Sequence, residues 1–183
     1  ASDVYKRQNS APLEEMHKSI TSELGPIDIL VNNAGTSQRG PFLGVSDELW
    51  QNDLDLKLFA AIRLIRLTIP SMKEKKWGRI INVLNIGAKA PPAEGAPTAV
   101  SRAAGMALTK ALAGEFAKDN ILVNALLVGL IDSNQHLIRH QSSNSTGSYE
   151  SFLENMATSQ NIPLGRVGKA EEFADVACFM ASD

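Results

Sequence analysis

The sequence predicts an α/β fold with a doubly wound parallel sheet. Along its 183 residues, three short apolar runs of strand length alternate with segments of helical periodicity. Helices rather than tight turns separate the runs, which is typical of parallel strands joined by right-handed crossovers. The composition suits a folded chain, since 44% of the residues are hydrophobic and 21% are charged.

The composition also limits the classes of function. The chain has 18 basic and 20 acidic side chains, and it shows no basic cluster of the kind that binds nucleic acid or anionic membranes. The single cysteine, Cys178, cannot form an internal disulfide, and no run approaches the roughly 20 apolar residues that span a bilayer. We therefore expect a cytoplasmic protein without nucleic-acid or membrane partners, in which Cys178 is buried as a small hydrophobic residue.

The first residues are treated separately from the fold. Residues 1–8 read ASDVYKRQ, which resembles translated adapter sequence, and we interpret them as a non-native leader. A natural terminus is the alternative. The predicted domain therefore covers residues 9–183.

The first half of the chain contains two helices and a strand. Apolar residues at helical spacing predict a helix over 12–24, which Gly25-Pro26 ends. The β-branched run 27–31 predicts the first strand. Ser46 can cap the first turn of a long helix whose apolar face ends near Pro70.

The second half continues the alternation. Strands are predicted over 79–84 and 121–127, on either side of a helix over 98–118 that is rich in small residues. Residues 132–161 are polar and long enough to form a lid rather than a connection. A last helix is predicted over 170–180.

An ordered series of motifs identifies a family resemblance. The first strand leads into Asn32-Asn33-Ala34-Gly35, and Gly78-Arg79-Ile80-Ile81-Asn82-Val83 and Pro163-Leu164-Gly165-Arg166-Val167-Gly168 follow in order. On these motifs residues 10–183 resemble the short-chain dehydrogenase/reductase family. The resemblance implies a Rossmann-like sheet, an NAD or NADP cofactor, and hydride transfer between the nicotinamide and an alcohol or carbonyl substrate.

Two parts of the family pattern have no counterpart in the sequence. Its 13 glycines include no Gly-rich phosphate turn, and no residues follow Asp183 where the family's last strand would lie. We therefore expect an incomplete fold that lacks the N-terminal phosphate-binding βαβ unit and the last strand. Because the missing turn leads to the residue that selects NAD or NADP, that choice cannot be read here. We also expect the free edge of the first strand to make this chain poorly soluble alone.

Four positions of the family's catalytic pattern carry other residues. The resemblance places the tyrosine and lysine positions at Thr98 and Arg102, the serine position at Asn85, and the asparagine position at Lys57. A threonine hydroxyl is a far weaker acid than a phenol, whereas Arg102 keeps a positive charge for the ribose hydroxyls. Asn85 can donate an amide hydrogen to a substrate carbonyl.

Lys57 is the candidate replacement for the missing acid. If it lies near Arg102, repulsion between the two cations would lower the Lys57 pKa towards the working range. The alternative for Lys57 is a solvated helix lysine, and the alternative for Thr98 is a hydroxyl at a helix N-terminus.

The cofactor positions follow from the same resemblance. Its implied contacts are, on the adenosine side, Asn32, Ala34 and Gly35; on the ribose, Arg102; and on the nicotinamide amide, Gly129, Ile131 and Ser133. A strand-end turn that uses glycine for its backbone freedom is the alternative at Gly35. No metal site is predicted, because His136 and His140 have no third ligand at a fitting spacing and are expected on a solvated lid helix.

Three classes of function remain open. The first is an NAD(P)-dependent oxidoreductase with a rebuilt active site, which acts on a small carbonyl or alcohol substrate. The second is a catalytically inactive dinucleotide-binding or regulatory protein, and the third is a structural module that interacts through its small-residue helix. The resemblance also implies packing of that helix in a homodimer or homotetramer.

Overall fold

A computed structural model of the chain describes residues 10–143 and 147–183. The chain divides into two compact units: the first extends to Leu127 and includes Asp183, and the second covers Val128–Ser182. The predicted leader, residues 1–8, lies outside the described residues. No helix in the described ranges is long and apolar enough to cross a membrane.

Helices and strands alternate as the sequence predicts, and their bounds follow the predicted ones within a few residues. In chain order they are α1 Ser10–Leu24, β1 Ile29–Asn32, α2 Asp47–Leu54, α3 Ala60–Lys75, β2 Gly78–Asn85, α4 Thr98–Phe116, β3 Ile121–Val128, α5 Asn134–Ser142, α6 Tyr149–Ser159 and α7 Ala170–Ala181.

The strands form a three-stranded sheet in the order β1-β2-β3, which confirms the α/β fold class. Strands β1 and β2 are parallel, and their register pairs Ile29 with Arg79 and Asn32 with Asn82. Strand β2 therefore continues three residues beyond the carboxyl end of β1. On the outer strand β1, the side chains of Ile29 and Val31 are exposed.

The core of the first unit lies between the sheet and two of its helices. Alternate residues of the three strands meet the apolar faces of α3 and α4 there. The buried members are Leu30, Ile65, Ile69, Met72, Ile80, Ile121 and Val123. Helix α1 packs on α3, with Leu13 buried. Strand β2 is buried along its whole length except at its last residue, Asn85, which is partly exposed.

The long helix begins as predicted but does not end at Pro70. The Ser46 side chain accepts a hydrogen bond from the Leu49 backbone N–H at 3.3 Å, which confirms the predicted cap. A π-helical turn, Asp55–Phe59, then joins α2 to α3. Helix α3 continues through Pro70 to Lys75, because its last turn buries Met72 completely. Lys76, in the left-handed conformation, ends it.

The second unit contains α5 and α6, which fall within the predicted lid, and α7. A parallel bridge joins Ile131 to Gly168, and the Asp132 N–H donates to the Gly168 carbonyl at 2.8 Å. The expectation for Cys178 is wrong: it lies on an exposed face of α7, next to the exposed Phe179. Residues 144–146 of the lid lie outside the described residues.

Candidate active site

Asparagine side chains join the carboxyl end of β1 to the middle of β2. Nδ2 of Asn32 donates to Oδ1 of Asn82 at 2.8 Å, and Nδ2 of Asn82 donates to the Thr109 hydroxyl on α4 at 2.9 Å. Asn82 is buried, so these bonds replace the hydration that its amide loses. They also bring α4 close to the strand ends, where ligands bind in open α/β sheets.

Lys57 lies in the π-helical turn between α2 and α3, and its side chain is fully buried. The ammonium forms an ion pair with Asp53, one helical turn earlier, and donates to the Thr98 hydroxyl at 2.7 Å. The alternative of a solvated helix lysine is therefore wrong. Single π-turns of this kind are frequent at functional sites.

The pKa of Lys57 lies below its ordinary value of 10.5, chiefly because burial disfavours the charged ammonium. Asp53 acts in the opposite direction through its hydrogen bond and its charge, and repulsion by Arg102 adds a further lowering. The expected direction is thus confirmed, but its main cause is desolvation and the repulsion by Arg102 is the smallest contribution.

Thr98 begins α4, and its hydroxyl has partners for all its hydrogen-bonding capacity. It accepts from Lys57 and from the Gln38 backbone N–H at 2.8 Å, and it donates to the Gln38 carbonyl at 2.7 Å. Only 3% of the residue is exposed. Thr98 therefore ties the loop after β1 to α4, and substrate contact by this hydroxyl stays a prediction.

Asp53 is a member of the site that the sequence analysis missed. One carboxylate oxygen meets Lys57, and the other accepts from the Ser101 hydroxyl at 2.6 Å. The available signal was the four-residue spacing of Asp53 and Lys57, which places both side chains on one helix face. That spacing alone also describes exposed ion pairs, so burial was not predictable from it.

Arg102 lies in the second turn of α4, and its guanidinium lies between the Val83 carbonyl and Gly35. Its Nη1 donates to the Val83 carbonyl at 2.9 Å, and a Cβ added to Gly35 would overlap its Nη2. Gly35 does not have a left-handed backbone, so the structure explains this glycine by its close approach to the end of the Arg102 side chain rather than by conformational freedom. Burial lowers the pKa of Arg102 from its ordinary value, and Asp53 opposes this shift.

Two buried polar atoms near these residues have no hydrogen-bond partner: Nε of Arg102 and Oδ1 of Asn85. Asn85 ends β2, and Gly87, two residues later, faces Ala99 of α4. Buried polar atoms in folded proteins normally have a partner, so both atoms are free for a ligand. The unpaired Nε donor of Arg102, with Gly35 beside the guanidinium, fits the sugar hydroxyls of a dinucleotide. Asn32, Ala34 and Gly35 lie next to this position, at and just after the end of β1.

A small cavity lies between the strand ends and the helices. Its polar lining is Asn32, Lys57, Asn82 and Arg102, and its apolar lining includes Ala61 and Leu108. The structure thus brings together three of the sequence-predicted site residues, Asn32, Lys57 and Arg102. Thr98 joins them through its hydrogen bond from Lys57.

The remaining predicted cofactor residues belong to the second unit. Gly129 follows β3, Ile131 forms the bridge to Gly168, and the Ser133 carbonyl accepts the His136 N–H at the start of α5. A Cβ added to Gly129 would meet no atom within 4 Å, so no close contact in the structure requires glycine there. The roles of Gly129, Ile131 and Ser133 toward a nicotinamide amide stay predictions.

The described residues of the predicted lid make more side-chain contacts than its polar composition indicates. The Tyr149 hydroxyl donates to Asp132 at 2.5 Å, and His140 lies against Tyr149 and Phe152. His136, expected to be solvated, is only 8% exposed, and its Nδ1 has no partner. Burial is the largest of the causes that lower the pKa of His136.

Comparison with known proteins gives consistent results. A family model described as enoyl-(acyl carrier protein) reductase matches residues 3–183. The 3-oxoacyl-(acyl-carrier-protein) reductase FabG of Vibrio cholerae is 30% identical over 174 residues, which are 95% of this chain and 67% of the relative. The corresponding reductase of Staphylococcus epidermidis is 31% identical, over 93% of this chain and 66% of the relative.

Solved structures resemble the chain just as extensively. L-sorbose reductase from Gluconobacter frateurii, in complex with NADPH and L-sorbose, superimposes with a TM-score of 0.90 at 32% identity, over 97% of this chain and 68% of that one. An NADPH-bound short chain oxidoreductase from Pseudomonas aeruginosa, described as containing an atypical catalytic centre, gives 0.86 at 30% identity, over 96% and 66%. The chain therefore spans about two thirds of the length of these proteins.

Proposed function

Because this chain belongs to the short-chain dehydrogenase/reductase family, we propose that its protein is an NAD(P)-dependent oxidoreductase that transfers a hydride between the nicotinamide and an alcohol or carbonyl substrate. The relatives named above are reductases or oxidoreductases, which supports an enzyme over an inactive binding protein. Two of the similar structures hold NADPH, which favours NADPH over NADH as the cofactor.

The observation that carries this proposal is the pair of cations at the strand ends. Lys57 and Arg102 line one cavity with Asn32, at the carboxyl edge of a parallel sheet. Arg102 offers an unpaired Nε donor for ribose hydroxyls, and Asn85 has an unpaired amide oxygen at the end of β2. In an open α/β sheet this edge is where a dinucleotide binds.

The chain's own residues divide the chemistry between them. The bound reduced nicotinamide supplies the hydride. We assign the proton for the carbonyl oxygen to the Lys57 ammonium, which already donates to the Thr98 hydroxyl at 2.7 Å. Proton loss leaves a neutral amine, which burial favours, and the amine then takes up from the solvent the one H⁺ that each reduction consumes. In this proposal Asn85 orients the substrate, and the Thr98 hydroxyl holds the Lys57 ammonium in place.

Other parts of the proposal concern substrate, assembly and location. The lid, residues 132–161, selects a small carbonyl or alcohol substrate, and Gly129, Ile131 and Ser133 contact the nicotinamide amide. The small-residue face of α4 packs against a second copy in a homodimer or homotetramer. The protein acts in the cytoplasm, as its composition predicts.

Cofactor titration of the complete gene product tests the proposal. NADPH and NADH are titrated by calorimetry, and a panel of ketones and aldehydes is then assayed for NADPH oxidation. We expect saturable NADPH binding that Arg102→Ala weakens, and turnover of at least one carbonyl. Binding without turnover across the panel supports the inactive alternative, and absence of binding leaves only the structural module.

A further inference from the structure

The Asp53 carboxylate is enclosed by donors from two helices. It belongs to α2, is 4% exposed, and forms the ion pair with Lys57. From α4 the Ser101 hydroxyl donates to its Oδ2 at 2.6 Å, and the Thr98 hydroxyl lies 3.4 Å from its Oδ1. A buried carboxylate is stable only when hydrogen bonds and an opposite charge replace its lost hydration. These donors therefore fix the position of the Asp53 carboxylate.

The charges around Lys57 do not cancel. Asp53 on α2 and Arg102 on α4 are the charged groups that act on the ammonium, and Arg102 repels it. Burial also favours the neutral amine. Asp53 is therefore the group that favours the charged form of Lys57 against both effects.

The geometry also fixes the direction in which Lys57 donates. One ammonium hydrogen is taken by Asp53 and another by the Thr98 hydroxyl. The carboxylate is anchored in turn by Ser101, which leaves it little freedom to follow another partner. Without the carboxylate, the Lys57 ammonium would keep only its hydrogen bond to Thr98.

We propose that Asp53 is a positioning residue that keeps the Lys57 ammonium charged and directed at the Thr98 hydroxyl. The catalytic consequence of this inference rests on the proposed function, but the effect of Asp53 on the ionisation of Lys57 can be measured without turnover. Asp53 thereby sets the upper limit of the pH range in which the site can supply a proton.

The direct test follows the ionisation of Lys57 by NMR. The complete protein is labelled with ¹³C-lysine, and the Lys57 signal is identified by its absence in Lys57→Met. In Asp53→Asn we expect the titration midpoint of Lys57 to fall by about 1 to 3 pH units, as expected on loss of an adjacent opposite charge. Asp55→Asn, two residues away at a partly exposed carboxylate, should leave the midpoint unchanged.

The pH profile of carbonyl reduction provides the second readout. The alkaline limb of kcat should shift downward in Asp53→Asn by as much as the Lys57 midpoint does, and it should not shift in Asp55→Asn. An unchanged or raised Lys57 midpoint overturns the inference. A lowered midpoint with an unshifted kcat profile supports the inference about Asp53 and instead refutes the role that the proposed function gives to Lys57.

A double variant covers the case in which Asp53→Asn does not fold. Lys57→Met with Asp53→Leu removes both charges together, so neither partner is left buried and unpaired. We expect the double variant to melt at a higher temperature than either Lys57→Met or Asp53→Leu alone. Melting below both single variants would show that the two residues are not coupled and would overturn the inference.

Discussion

Three buried polar side chains, Asp53, Lys57 and Thr98, occupy the centre of the candidate site, and each supplies a hydrogen-bond partner for another. The resemblance places Thr98 at the family's tyrosine position, and its hydroxyl is already fully bonded. We therefore propose Lys57, which donates to that hydroxyl, as the acid. The chemistry of each of these three side chains therefore depends on its bonds to the other two.

The sequence predicted part of this cluster. Resemblance aligned Lys57 and Arg102 with functional positions, and their nearness was stated only as the condition for a lowered Lys57 pKa. Asp53 was not, because an acidic residue one turn before a lysine is also the pattern of a solvated ion pair. Only the packing of α2 against α4 shows that this pair is buried.

Replacement of Lys57 by methionine tests the proposed proton source. The change removes the ammonium while keeping a similar side-chain length, so we expect kcat to fall by about 10² to 10⁴-fold. Affinity for NADPH, measured by calorimetry, should change little, because Arg102 holds the ribose in the proposal. Lys110→Met, at an exposed lysine of α4, serves as the control. Unchanged kcat in a folded Lys57→Met protein would contradict the assignment.

At the scale of elements, the alternation of helices and strands was predictable because each element carries its own periodicity. The ends were harder to place. Pro70 predicted a helix end, but burial of Met72 in the next turn outweighs the hydrogen bond that proline cannot form. The π-helical turn at Asp55–Phe59 has no local sequence signal, because it depends on contacts made after the helices pack.

Met72 gives a quantitative test of that last turn of α3. Its side chain is fully buried against the core, so Met72→Ala should lower the free energy of unfolding by about 2 to 5 kcal/mol. Met16→Ala on α1, where the methionine is 43% exposed, is the matched control and should cost far less. Urea titration of both variants measures the difference. Equal losses would mean that the end of α3 contributes little to the core.

The bond between Tyr149 and Asp132 gives the lid a pH signature. Burial first, and then the hydrogen bond and charge of Asp132, raise the pKa of Tyr149 to about 12 from 10.0. Because the folded pKa lies above the unfolded one, the stabilisation is complete below pH 10 and is lost as the pH rises through 12. Ultraviolet absorbance titration should show a late phenolate phase that Tyr149→Phe abolishes. A Tyr149 phase near pH 10 would contradict this bond.

At the scale of the whole molecule, the exposed edge of the sheet is a place where another chain can pair. Strand β1 is the outer strand, and Ile29 and Val31 are exposed on it. Exposed apolar edge strands offer unpaired backbone groups to other chains. The prediction that this chain is poorly soluble alone follows from the sequence and fits this edge.

A charge on that edge should improve solubility of the 183-residue chain. Val31 is 48% exposed, and Val31→Lys places an ammonium where another strand would pair. We expect a larger soluble fraction and weaker light scattering at equal concentration. Val100→Lys adds the same charge at an equally exposed valine, 49%, on a helix, and should have little effect. Equal improvement by both variants would show that net charge, rather than the edge, limits solubility.

The contact between Gly35 and Arg102 links two positions that are far apart in the sequence. Any side chain at position 35 would push the guanidinium away, so it would change the candidate ribose contact without altering a residue that makes it. Position 35 can therefore accept a larger residue if the Arg102 guanidinium, at the end of a flexible side chain, moves aside. A designer who wants to move that guanidinium can thus do so by a substitution in the loop after β1.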